Sequence, residues 1–124
     1  MPSPTAATAA VHAYVAALNA GDLDAIVALY AQDATVEDPV GSPPKAGIEA
    51  IRSFYARSTA IKLEVALEGE LRVAGNECAF AFSVSFVHEG RRTTIRPIDT
   101  FRFNEDGRIV QMRAYFGHGN IHPE

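Results

Sequence analysis

The stretch Thr94-Ile95-Arg96-Pro97-Ile98-Asp99-Thr100-Phe101-Arg102-Phe103 alternates apolar and polar side chains with a period of two, the signature of a half-buried strand. Successive strand side chains point to opposite faces, so Ile95, Pro97, Asp99, Phe101 and Phe103 share one face, with Arg96, Ile98, Thr100 and Arg102 on the other. The odd face is the apolar one. Asp99 is the only side chain on it that can carry a charge.

The same pattern extends on both sides. Cys78, Phe80, Phe82, Val84 and Phe86 share a parity before it, and Val110, Met112, Ala114 and Phe116 share one after it. Period two begins near Lys62, with turn signals at Gly69, Gly75-Asn76, Glu89-Gly90 and Glu105-Asp106-Gly107, so the second half predicts antiparallel strands. The first half has helical spacing. Thr5 is the expected cap of a helix to about Ala20, ended by Gly21, with Val11, Tyr14, Val15 and Leu18 as its apolar stripe. Asp22 caps a second helix predicted over Leu23 to Tyr30, with Ile26, Val27 and Tyr30 inward. A short strand is expected over Ala34 to Asp38, then a loop over Val40 to Gly47. A third helix is expected from Ile48 to about Ser58, with Ile51, Phe54 and Tyr55 on one side. Helices first and a meandering sheet afterwards predict one α+β domain over residues 1–124, with helices covering one sheet face.

Composition narrows the function. The chain has 124 residues, 48% of them hydrophobic and 21% charged, which is ordinary for a soluble globular domain. A net charge of −4 argues against a nucleic-acid partner, and the arginines between Arg91 and Arg102 read as one solvated strand face. No apolar run approaches the ~20 residues of a membrane span. The stretch Met1 to Ala10 lacks the basic and apolar regions of a signal peptide. The single cysteine, Cys78, sits in an apolar run as a core thiol, which fits a reducing cytoplasm. His12, His88, His118 and His122 are dispersed, so no metal is implied, and no glycine-rich phosphate loop occurs.

Asp99 admits two readings. Either an arginine, Arg96 foremost, bends inward to pair with it, or burial keeps the carboxyl neutral. A neutral carboxyl is a hydrogen-bond donor, suited to an oxygen that gains negative charge in a reaction. Tyr14 points its hydroxyl into the same interior, and Tyr30 and Tyr55 either join it in a hydroxyl network or simply pack. Asp38 shares the parity of Ala34 and Val36, so it faces that interior too, whereas Asp33 and Glu37 read as polar turn residues.

The segments Tyr14 to Asp24, Asp33 to Gly41, Pro97-Ile98-Asp99, Phe101-Arg102-Phe103, Met112-Arg113-Ala114, Gly117 and Asn120-Ile121-His122 closely resemble the bacterial Δ5-3-ketosteroid isomerases. The resemblance runs from about Val11 to His122 without a large insertion. It implies a cone-shaped fold of the kind shared with nuclear transport factor 2, with three helices against a curved, mostly antiparallel sheet, in a homodimer. It also implies a cofactor-free isomerase acting on a 3-oxosteroid. The family's general base falls on Asp38 and its two oxyanion donors fall on Tyr14 and Asp99. Phe54, Phe82, Phe86, Met112 and Phe116 are then the expected apolar walls. Phe116 departs from members that place an indole N–H there, so Asp38 must be oriented without it. The same scaffold also serves polyketide cyclases, epoxide hydrolases and proteins that only bind a hydrophobic ligand, so the fold alone does not choose.

Overall fold

A computed structural model describes residues 3–124; Met1 and Pro2, the start of the stretch tested for a signal peptide, lie outside the described residues. Helix α1 spans Pro4–Ala20. Its cap is Ser3, whose hydroxyl oxygen accepts the Ala6 N–H at 3.1 Å, rather than Thr5. Proline at the first helical position explains the shift, since it needs no N–H partner there. Gly21 ends the helix in the left-handed conformation, φ 66°.

Helix α2, Leu23–Val27, is shorter than expected although Asp22 caps it at Ala25 N–H, 3.1 Å. Its end is held from outside, because the Arg108 guanidinium donates to the Ala28 carbonyl at 3.0 Å and Ile109 N–H donates to Leu29 at 2.9 Å. Tyr30 therefore opens strand β1, Tyr30–Glu37, instead of closing a helix. Sheet pairing overrides helical spacing at this residue. The following loop contains a two-residue strand β2, Lys45–Ala46, and α3 covers Ile48–Thr59.

The remaining strands are β3 (Glu64–Leu67), β4 (Arg72–Ala74), β5 (Glu77–His88), β6 (Arg91–Ile95), β7 (Ile98–Phe103), β8 (Ile109–Tyr115) and β9 (Ile121–Pro123). They run in the order β2-β1-β8-β7-β5-β6-β9, with β3 and β4 also on β5. Every pair is antiparallel except β1 with β8. This is the expected α+β architecture of three helices against a mostly antiparallel sheet.

Two irregularities shape the inner face of the sheet. The run from Thr94 to Phe103 is not one strand, because it breaks at Arg96-Pro97, where proline has no N–H to give a ladder. The first half of β5 consequently pairs with β7 and its second half with β6. In β8, Arg102 pairs with Gln111 but Phe103 pairs with Ile109, so Val110 bulges. The expected inward parity thus holds from Met112 to Ala114, while Ile109 replaces Val110 in the core.

That face divides accordingly. Cys78, Phe80, Phe101, Phe103, Ile109 and Met112 are buried beneath the helices with Val11, Ile26 and Ile51. Beyond the Pro97 break the face is less covered: Val84, Phe86 and Phe116 are only half-buried. The helices stop short of that end and leave it open.

Candidate active site

A cavity of about 310 Å³ opens between α1, α3 and the uncovered end of the sheet. Tyr14, Asp38 and Asp99 all line it, together with the expected walls Phe54, Phe82, Phe86 and Phe116. Met112 does not. Contrary to its expected role as a wall, it lies wholly inside the core, paired across the ladder with Phe101. Its neighbour Ala114 lines the cavity instead.

Asp38 follows the last residue of β1 and precedes Pro39. Burial pushes its carboxyl up to about 6, and no donor among the described residues offsets that desolvation. Glu37, one residue earlier, has the opposite fate. It points out of the sheet, accepts the Gly41 N–H at 2.8 Å and pairs with Arg113 at 3.2 Å. Those partners, the Gly41 N–H first, hold Glu37 below the usual carboxylate range. The turn is pinned further by Val40 N–H donating to the Ala114 carbonyl at 2.8 Å, which ties the segment after Asp38 to β8. Alternation in β1 separates the two acids, and the pinned turn keeps them apart.

Asp99 is the second residue of β7, just past the Pro97 break, flanked in register by Phe80 and Ala114. It is 1% exposed, and its Oδ1 has no hydrogen-bond partner among the described residues. Arg96 does not turn inward. It is exposed and pairs with Glu68 at 2.6 Å. Burial first, then the Asp38 carboxylate, hold the Asp99 carboxyl well above its ordinary range, so it keeps its proton. The order of ionisation explains an asymmetry. Asp38 loses its proton first, beside a neutral Asp99, while Asp99 must ionise against both burial and a charged neighbour.

The tyrosines form a network rather than merely packing. Tyr14 Oη lies 3.0 Å from Tyr55 Oη, which lies 2.6 Å from Tyr30 Oη, all three buried. Burial is the main reason each hydroxyl keeps its proton well above the ordinary phenol range. The Tyr14 ring is clamped edge-to-face against Phe101 at 5.2 Å and Phe80 at 6.3 Å, so its hydroxyl has a fixed direction. Tyr14 and Tyr55 reach the cavity, whereas Tyr30 lies behind them.

Sequence reasoning missed part of the lining. Leu18, Leu63, Val84, Ile95 and Pro97 extend the apolar wall, and Arg57, Ser58 and Ile61 also border the cavity. Val84, Ile95 and Pro97 carried the right strand parity. Phe54, Arg57, Ser58 and Ile61 recur at i, i+3, i+4, i+7, a helical face running past the end of α3. No group of three His, Cys, Asp or Glu side chains able to hold a metal gathers among the described residues. Nor is any helix among them long and apolar enough to cross a membrane.

Chemically, the cavity offers one acceptor and two protonated donors in an apolar box. Asp38 is a carboxylate near neutrality with raised basicity. Tyr14 and Asp99 are neutral O–H groups. An apolar ligand that becomes an oxyanion would find both tools at hand.

Residues 11–112 match the SnoaL-like domain. A steroid Delta-isomerase from Nocardioides simplex is 40% identical over 113 residues, covering 91% of each chain. The solved structure of SalBIII, described as an epoxide hydrolase/cyclase-like enzyme with a role in pyran ring formation in polyether salinomycin, superposes with a TM-score of 0.92. It is 27% identical and covers 98% of each chain.

Proposed function

Because the chain belongs to the SnoaL-like domain family, and is similar to a steroid isomerase over nine-tenths of its length, we propose that it is a steroid Δ-isomerase. It moves the double bond of a 3-oxo-Δ5-steroid to the Δ4 position. The observation that carries this reading is Asp99, a buried carboxyl with a free Oδ1 in an apolar cavity that also holds Tyr14 and Asp38. A pocket that merely held a hydrophobic ligand would gain nothing from two desolvated acids.

The carboxylate of Asp38 removes a proton from C4, between the ketone and the double bond. The electron pair left behind conjugates with the ketone and the alkene, and negative charge develops on O3. Tyr14 and Asp99 donate hydrogen bonds to that oxygen, and the bonds strengthen as its charge grows. Tyr55 and Tyr30 support Tyr14: a chain in which Tyr30 donates to Tyr55 and Tyr55 to Tyr14 leaves the Tyr14 proton free for the ligand. Asp38 then returns the proton to C6. The double bond now lies between C4 and C5, conjugated with the ketone, and the enzyme is back in its starting state. Phe54, Phe82, Phe86 and Phe116 form walls for a flat, rigid ring system. None of these steps calls for a cofactor.

A homodimer is part of the proposal. Ile98 and Tyr115 are neighbours in register on the sheet face turned away from the cavity, 48% and 43% exposed, and would be covered by a second copy. A cytoplasmic role in steroid and lipid metabolism fits a chain whose single thiol is buried and unpaired.

The likeness to SalBIII favours one second reading, an epoxide-opening cyclase that uses the same carboxylate as base and the same neutral acid as donor. One assay separates the two. A 5-ene-3-ketosteroid gains the ultraviolet absorbance of a conjugated enone only if the double bond moves. The wild type should produce that rise, and Asp38→Asn should abolish it while still binding the product. No absorbance change with wild-type protein would rule out the isomerase.

A further inference from the structure

The lining of the cavity contains three side chains that can carry charge: Asp38, Asp99 and Arg57. Asp99 is fully buried and Asp38 half-buried. Arg57 is in the last turn of α3, on the face that runs from half-buried Phe54 through Ser58 to Ile61, which is 47% exposed. Arg57 and Ile61 are the exposed residues of that face, so Arg57 stands at the mouth. Neither acid is pulled down by a guanidinium; burial and, for Asp99, its acidic neighbour account for both. A cation close to them would have stabilised their ionised forms. Arg57 is thus set apart from the reacting end.

Arg57, like Arg102 and Arg108, also differs from the five arginines of the chain that form ion pairs. Arg52, Arg72, Arg92, Arg96 and Arg113 each pair with an acid. Arg57 has no acidic partner among the described residues. An arginine so placed, beside apolar Phe54 and Ile61, offers a planar fork of donors to whatever projects from the cavity.

We propose that Arg57 receives an anionic group at the end of the substrate remote from the ketone, so that the enzyme selects 3-oxosteroids bearing a carboxylate or sulfate on the D-ring side. The inference rests on the steroid reading above, with O3 against Tyr14 and Asp99 and the D ring directed to the mouth. A bare ketone or hydroxyl there would leave the guanidinium to water. A carboxylate or a sulfate would accept two parallel N–H bonds from it.

The test is equilibrium binding by calorimetry, which does not depend on turnover. The probes are 3-oxoandrost-4-ene-17β-carboxylic acid against its methyl ester, and testosterone sulfate against testosterone. Wild type should hold the acid about threefold to tenfold more tightly than the ester at low salt, as expected of an ion pair at a partly shielded mouth. The ratio should shrink as salt is raised. Arg57→Gln should bring it to about one, whereas Arg57→Lys should keep part of it. A matching preference for the sulfate over testosterone is expected on the same grounds. Arginine acting only on the α3 dipole would not move this ratio. If wild type binds acid and ester equally, or Arg57→Gln keeps the full ratio, the inference is wrong. Steroid binding without acid preference overturns only this inference, whereas no steroid binding at all overturns the isomerase reading with it.

Discussion

Lowering the pH from 7 to 5 perturbs one group of the site, Asp38, whose carboxyl burial pushes up to about 6. With that value the carboxylate falls from ~90% of molecules at pH 7 to ~10% at pH 5, so kcat/KM should drop about tenfold. A solvated aspartate, with an ordinary value of ~3.9, would lose under about a tenth of its charge over the same range. The assay is the initial rate of enone absorbance at low substrate, where kcat/KM reports the free enzyme and the substrate itself does not titrate. Stability should move the opposite way. The folded Asp38 holds its proton up to about pH 6 and the unfolded chain releases it near ~4. The native state therefore binds the extra proton in that window, and stability is highest below it. Stability is lost as pH rises through it, by at most ~1.4 kcal/mol per pH unit. Asp38→Asn should flatten that slope. A rate limb centred near ~4, or none, would show that Asp38 is solvated and refute the burial argument.

Other outcomes rest on the same geometry. Asp99→Asn should remove a decline in stability with pH that persists above the range of Asp38, up to ~1.4 kcal/mol per unit while the native acid keeps its proton; urea unfolding at fixed protein concentration reads it. Tyr55→Phe deletes the middle hydroxyl of the chain and leaves Tyr14 and Tyr30 without it, so unfolding free energy should fall by ~1–3 kcal/mol and turnover should fall while Tyr14 remains. Sedimentation should find a dimer at micromolar concentration, and Ile98→Glu should shift it toward monomer; a wild-type monomer would contradict the covered-face proposal.

Much of the architecture was legible in the residues because periodicity and turn chemistry are local. Gly21, Gly75-Asn76, Gly90 and Gly107 mark element ends where the structure has them. Asp99 could be read as a buried acid from alternation alone, since Phe101 and Phe103 share its face. Boundaries set by distant partners were not legible. Tyr30 leaves helix α2 because Arg108 and Ile109, far along the chain, claim the preceding carbonyls. Val110 leaves the core through a bulge that no alternation reveals.

The site was legible in its polar residues and less so in its walls. Asp38 and Glu37 are adjacent acids with opposite environments, and strand parity alone separates them. Met112 was misplaced for an instructive reason. Parity tells which face a side chain joins, but not which part of that face meets a helix and which meets open space. That division depends on the break at Pro97 and on where α3 stops, so Met112 is core while Phe86 and Phe116 line the cavity. Arg57 escaped notice because a basic residue in a helix's last turn is ordinarily a dipole partner.

The proposed mechanism turns on Asp99 being a neutral donor at the pH where Asp38 is a charged base. Infrared difference spectroscopy of wild type against Asp99→Asn at neutral pH, with a bound phenolic steroid to supply the oxygen, reads that state directly. The mechanism predicts a protonated carboxyl C=O stretch that is lost in the variant and shifts when the phenolic ligand binds. A carboxylate band assigned to Asp99 in the free protein would contradict it.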